Sequence, residues 1–219
     1  MNESRQMKTL AKEEFEAWAT TYDTSRLNRW LFQPSYRMFL EELHAWRGER
    51  DEPFDLLDVG CATGTLGAML AASALPARVV GLDYAPAMCR QGAAKARHAG
   101  IADVLKFVAA DSEFLPFADA SFDVVTCSNS FHHYPHQPAV VAAFRRVLRP
   151  GGRLMLIDGF RDNVVGWFVF DVIIATVERE VFHAPWSTIH GYFADAGFRE
   201  IRRRKFSFWF PALFTVGVA

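Results

Sequence analysis

From Phe54 to Asp158 the chain repeats one pattern: a short apolar run with an acid or a small residue at or near its end, then a stretch with helical or turn character. FDLLDV is the first run, followed by a helix from Thr65 to about Ala74. RVVGLD precedes a helix over Pro86 to His98, and VLKFVAAD precedes a turn-rich stretch. FDVVTCS precedes a helix over Pro138 to Leu148, and GRLMLID precedes a second helical region. Apolar runs this short, separated by amphipathic helices, imply βαβ units and a parallel sheet buried on both faces. Right-handed crossovers bring the carboxyl ends of such strands to one edge, where a ligand binds. RPGG at 149–152 reads as a helix stop and turn.

Two more helices precede the sheet, because Leu10, Phe15, Trp18, Ala19 and Tyr22 recur at helical spacing, as do Trp30, Tyr36, Phe39, Leu40, Leu43 and Trp46. After the fifth run come an apolar helical segment over about 163–180, a short helix from about Ser187 to Ala196, and two strands, GFREIRRR and KFSFWF. A hairpin of those two strands adds an antiparallel member, with a bulge or strand end near Pro211. The expected division is an N-terminal helical cap over 1–50 and a sheet domain over 51–219 with a helical insertion at about 160–185.

Composition sets outer limits. With 219 residues, 51% of them hydrophobic, the chain can bury one sizeable core. A net charge of -1, from 24 basic and 25 acidic side chains, gives no global attraction to nucleic acid or to an anionic membrane. Cys61, Cys89 and Cys127 lack C-x-x-C spacing, which speaks against a disulfide framework or a zinc site and makes a reducing cytoplasm the simplest location. MNESRQMKTLAKEEFEAW has no apolar secretory core. The tracts Val164–Val177, interrupted by Asp171, and Phe206–Ala219 are shorter than the roughly 20 residues that span a bilayer, so no transmembrane segment is expected.

The stretch LLDVGCATGTLG puts a glycine-rich turn after the first strand, yet Ala62 stands where G-x-G-x-x-G needs glycine, and the Walker pattern is absent. Asp58, Asp83 and Asp111 stand at or just after the ends of the first three strands. Three acids converging on one crevice would repel a pyrophosphate. They suit a ligand with ammonium and sulfonium groups, a ribose diol and an adenine amino group, which describes S-adenosylmethionine. Gly60, Ala62 and Gly64 would let the loop approach it closely.

The same motifs, in order, resemble those of the class I S-adenosylmethionine-dependent methyltransferases, in the broad group that includes the ubiquinone and menaquinone C-methyltransferases. The resemblance runs from about Tyr22 to Leu156 through DVGCATG, GLDYAPAMCRQGAAKA, AADSEFLPFADASFDVVTCS and RVLRPGGRLMLID. It implies a Rossmann-like α/β fold: a seven-stranded, mainly parallel sheet with helices on both faces, an antiparallel last strand and N-terminal helices. It also implies cofactor contacts by Asp58, Gly60, Cys61, Ala62, Thr63 and Gly64 of the first motif. Asp83 would hold the ribose, with Tyr84 beside it and Met88 flanking adenine. Asp111 would hold the adenine amino group and Ser112 the ring edge. Ser128 and Asn129 would meet the methionyl end, His133 the cofactor, and Tyr22 would close over the cofactor carboxylate.

SNSFHHYPHQP, 128–138, clusters His132, His133 and His136, but Pro135 and Pro138 disfavour the helix that would aim them together, and no metal site is expected. If the acceptor must lose a proton, His133, His132 or His190 is the expected base. Arg202, Arg203, Arg204 and Lys205 alternate faces on a strand and read as solvated edge charges, so nucleic acid is not the expected substrate. Trp30, Phe32, Trp167, Phe168 and Phe170 favour a small apolar or aromatic acceptor, or a lipid-like one. The apolar C-terminal tail and the 163–180 segment offer a surface for a homodimer. Two alternatives stay open: a catalytically inactive cofactor-binding partner or sensor module, and a nicotinamide-dependent oxidoreductase.

Overall fold

Alternate side chains of each central strand enter opposite cores. Leu57 and Val59 of the first strand, Val125 and Cys127 of the fourth, and Leu154 and Leu156 of the fifth face one side. Leu56, Val124, Met155 and Ile157 face the other. This period of two, with both faces apolar, is why the runs read as nearly continuous hydrophobic segments. A computed structural model describes residues 9, 12, 13, 15–19, 21–24, 26–48, 51–159, 184–206 and 212–219, with backbone alone for 26–31, 186 and 206.

A short 3-10 turn, Tyr22–Thr24, leads into α1 (Arg26–Arg47). Then follow β1 (Phe54–Val59), α2 (Thr65–Ala71), β2 (Ala77–Asp83), α3 (Pro86–His98), β3 (Leu105–Ala109) and β4 (Phe122–Ser128). A 3-10 turn, Phe131–His133, precedes α4 (Gln137–Val147), β5 (Leu148–Gly159), α5 (Trp186–Asp195), β6 (Arg199–Phe206) and β7 (Ala212–Val218). The seven strands form one sheet in the order β3-β2-β1-β4-β5-β7-β6. β1 to β5 pair in parallel, and β7 runs antiparallel to both of its neighbours. Strand order reverses between β1 and β4, and that switch point opens a crevice beyond their carboxyl ends.

The helices divide between the faces. Met38, Phe39 and Leu43 of α1 pack with Leu66 and Leu70 of α2 on one side. Val140, Val141 and Phe144 of α4 pack with Ile189 and Phe193 of α5 on the other. At the end of the sheet away from the crevice, Arg149 donates to Asp123 at 2.6 Å and to Asp55 at 3.0 Å, while Arg78 donates to Asp55 at 2.8 Å.

The C-terminal strands differ from the expected hairpin. REIRRRKF is one strand, β6, and its partner is ALFTVGV, β7. The described part of the apolar tail, β7, therefore lies inside the sheet between β5 and β6, with six of its seven residues buried. A run apolar on both faces belongs to an interior strand, whereas the basic β6 takes the edge, where charge discourages further pairing. RPGG is also more than a turn. It opens β5 as a bulge, where pairing with β4 jumps from Phe122–Leu148 to Val124–Arg153. The segment over about 163–180, the insertion with Trp167, Phe168 and Phe170, most of KFSFWF and the side chain of Trp30 lie outside the described residues.

Candidate active site

The crevice is built where β1, β2 and β4 end. After Val59 the chain turns through Gly60 (φ 71), Ala62 (φ 47) and Gly64 (φ 76) into α2. A Cβ on Gly60 would fall on Ser130 Oγ and within 3.0 Å of the Tyr134 hydroxyl, so only glycine lets this loop pass the stretch after β4. The N–H groups of Gly60 and Cys61 donate to Leu82 O at 2.8 and 3.0 Å, and that of Ala62 donates to Asp83 at 2.9 Å. Three successive amides are thus engaged with the end of β2, unlike the open amides of a phosphate cradle.

Two carboxyls face this space, Asp58 buried and Asp83 half-buried. Asp58 is buried and accepts from Thr126 Oγ1 at 2.8 Å. Burial raises its pKa from 3.8 to about 7; the Thr126 bond opposes the rise and the charge of Asp83 adds to it. Burial also raises Asp83, although the N–H groups of Ala85 and Ala62 hold its two oxygens. Neither acid has a Lys, Arg or His ion-pair partner among the described residues. Burial likewise lifts the phenols of Tyr36 and Tyr134, so both stay neutral.

Of the residues singled out in the sequence, the crevice brings together Tyr22, Asp58, Gly60, Cys61, Ala62, Asp83, Tyr84, Asp111, Ser112, Ser128, Asn129 and His133. Asn129 has a left-handed backbone (φ 50), which asparagine tolerates. Its amide nitrogen donates to Ser128 and Ser35, and its Oδ1 is buried with no hydrogen-bond partner among the described residues. Other expected residues stand elsewhere. Thr63 is buried behind the loop and donates to Asp23 at 2.7 Å; Gly64 caps α2 against the Phe107 ring. Met88 packs with Ala19 and Ala85 below the turn after β2. His132 is buried one residue behind the lining, and His190 is on α5, outside it.

The crevice also holds residues that periodicity did not single out as site residues: Lys12 and Phe15 from the N-terminal segment, Tyr36 from α1, and Ser130 and Tyr134. Phe15 meets the His133 ring edge-on at 5.1 Å, and Tyr22 stacks over Phe32 at 6.5 Å. Phe32 and Tyr36 are four apart on α1, a spacing that puts both on one helix face. Ser130 and Tyr134 belong to the histidine-rich run 128–138, where no periodicity marks the hydroxyls.

Residues 57–156, from within β1 to within β5, match the family described as a methyltransferase domain. This region is a methyltransferase domain. The methyltransferase domain is similar to the ubiquinone/menaquinone biosynthesis C-methyltransferase of Brucella anthropi, at 34% identity over 151 residues that cover 68% of this chain and 57% of that protein. A second relative is the 27-O-demethylrifamycin SV methyltransferase of Amycolatopsis mediterranei, at 41% identity over 103 residues, 47% of this chain and 38% of that protein. The chain spans about half the length of these curated relatives. In fold, magnesium protoporphyrin IX methyltransferase from Synechocystis, solved with bound SAH, superposes with a TM-score of 0.75 at 18% identity, covering 96% of this chain and 99% of that one. The chain therefore shares the fold of that solved structure. No helix among its described residues is long and apolar enough to cross a membrane.

Proposed function

We propose that the protein transfers a methyl group from S-adenosylmethionine to a small apolar or aromatic acceptor. The observation that carries this reading is the pair of acids, the buried Asp58 and the half-buried Asp83, facing a crevice without a basic side chain bonded to either. A buried carboxylate is costly unless a partner compensates it. An ammonium group and a ribose diol supply that compensation, and the buried Oδ1 of Asn129 is a further acceptor awaiting a donor. In this assignment Asp83 takes the ribose, Asp111 and Ser112 the adenine edge, and Asp58, Ser128 and Asn129 the methionyl end, with Tyr22 above. Gly60, Cys61 and Ala62 give the loop its close approach.

When bound, the cofactor supplies a methyl group already activated on a sulfonium. The protein's work is to orient the acceptor and exclude water, which contributes up to about 7–11 kcal/mol in well-oriented reactions. Phe15, Phe32, Tyr36 and Tyr134 line the acceptor side with rings. The acceptor's nucleophile would take that methyl group as the cofactor's carbon–sulfur bond gave its electrons to sulfur, and His133, which lines the crevice, would take the proton that the acceptor releases. The three buried thiols suit a reducing cytoplasm.

Thermal unfolding with S-adenosylhomocysteine, S-adenosylmethionine, NADH and ATP tests the reading. The first two, at about 100 times their dissociation constants, are expected to add roughly 2.7 kcal/mol of stability, and Asp83→Ala is expected to abolish the gain. Stabilisation by NADH instead would identify an oxidoreductase. Cofactor binding with no labelled methyl transferred to a panel of phenols, hydroquinones and amines would identify a binding module.

A further inference from the structure

Behind the crevice-facing His133 lies a buried carboxylate–imidazole pair, Asp158 and His132, to which no cofactor contact is assigned. Asp158, at the end of β5, is 3% exposed. Its carboxylate accepts the His132 ring at 2.6 Å through Nδ1, the His132 backbone N–H at 2.8 Å and the Gly159 N–H at 2.7 Å. Three donors of this kind hold a carboxylate in its ionised form, and a carboxylate partner places the hydrogen of His132 on Nδ1. The other side of the assembly is His133, whose ring centroid is 4.1 Å from that of His132 at an interplanar angle of 48°. One element supplies both rings, because they are consecutive on the 3-10 turn that follows β4.

We propose that Asp158 and His132 are positioning residues for His133: the buried anion, reached through the His132 ring, fixes the His133 imidazole and favours its protonated form as it takes the acceptor's proton. This rests on the methyltransferase reading above, and it goes further by giving the base a support that lies outside the cofactor crevice. An imidazole that must become cationic next to a sulfonium needs a nearby negative charge, and Asp158 is placed to provide one without occupying the acceptor's space. Other charged groups face the same crevice: Lys12 from the N-terminal segment, Asp58 and Asp83 from the ends of β1 and β2, and Asp111 after β3. The phenols of Tyr36 and Tyr134 face it as neutral groups. The three acids favour a protonated His133 and Lys12 opposes it, so the contribution of Asp158 has to be isolated by substitution.

Histidine-labelled protein saturated with S-adenosylhomocysteine allows His133 to be titrated by NMR without knowledge of the acceptor, with the resonance assigned by His133→Asn. Asp158→Asn keeps the side-chain shape and removes the charge. It is expected to move the His133 midpoint to lower pH by about one pH unit while leaving S-adenosylhomocysteine affinity unchanged. An unchanged midpoint would reduce the pair to a structural tie between β5 and the turn after β4, and would overturn the proposal. In the unsubstituted protein the same spectra must show His132 as the Nδ1–H tautomer, with His133 titrating above about 6.5. A lower midpoint there also overturns the inference, so a variant that fails to fold does not shelter it. Absence of S-adenosylhomocysteine binding in the unsubstituted protein would instead sink the methyltransferase reading, while the His133 comparison remains readable in the free protein.

Discussion

Asp58 shows how a single residue sets a conflict between stability and binding. Its carboxyl titrates near 3.8 in the unfolded chain and at about 7 in the fold, because burial penalises the charged form. Between those values the folded protein holds a proton that the unfolded chain has released. The stability linked to Asp58 therefore falls as pH rises from about 4 to about 7, by up to about 4 kcal/mol, and the full burden is present above pH 7. Asp58→Asn is expected to unfold at a higher temperature than the parent at pH 8, with the gap closing toward pH 4. S-adenosylhomocysteine affinity, measured by calorimetry, should strengthen from pH 6 to pH 8 in the parent and stay flat in the variant. Ala62 presents a smaller conflict: its φ of 47 is left-handed, where a Cβ is strained, so Ala62→Gly is expected to stabilise by up to about 1 kcal/mol in denaturant titrations. The missing glycine was legible in the sequence, but the conformation that makes it costly was not.

At the scale of elements, the N-terminal turn is tied to the crevice by one carboxylate. Asp23 accepts from Thr63 at 2.7 Å, Lys95 at 2.8 Å and Gln91 at 3.3 Å, and so joins Tyr22–Thr24 to the loop after β1 and to α3. Glu16 adds a second tie, accepting the Ala87 N–H at 3.2 Å near the start of α3. Asp23→Ala is expected to raise the dissociation constant for S-adenosylhomocysteine about tenfold through a faster off-rate. Its unfolding free energy should fall by about 1–3 kcal/mol, because the buried Thr63 hydroxyl loses its acceptor while the partly solvated Lys95 adds little. Equal off-rates in the two proteins would show that the turn does not cover the ligand. β7 teaches a different lesson. Its residues read as an apolar tail, and nothing local to them shows that the chain returns between β5 and an edge strand. Phe214, packed edge-on against Phe39 of α1 at 5.5 Å, is 3% exposed, and Phe214→Ala is expected to cost about 3–5 kcal/mol in denaturant unfolding.

For the molecule as a whole, the basic run on the edge strand, read from sequence as solvated edge charge, is partly satisfied internally. Arg202 and Arg153 donate to Glu42 at 2.6 and 3.1 Å, and Arg204 donates to Glu41 at 3.2 Å, which fastens the basic edge strand and β5 to α1. Retention of an oligonucleotide at physiological salt is therefore not expected, and a fluorescence anisotropy titration that saturated there would contradict this account. The sequence by itself determined the strand–helix alternation, the acids at the strand ends and the motif order, because periodicity and turn chemistry are properties of neighbours along the chain. Those local signals sufficed for β1, β2, β4 and α3, while the resemblance in motif order pointed to twelve residues that line the crevice. Only the tertiary structure decided that β7 is interior, that Met88, Thr63 and His132 stand behind the lining, and that Asp158 meets His132. Each of these depends on contacts between segments far apart in sequence, where packing and burial outweigh any local preference.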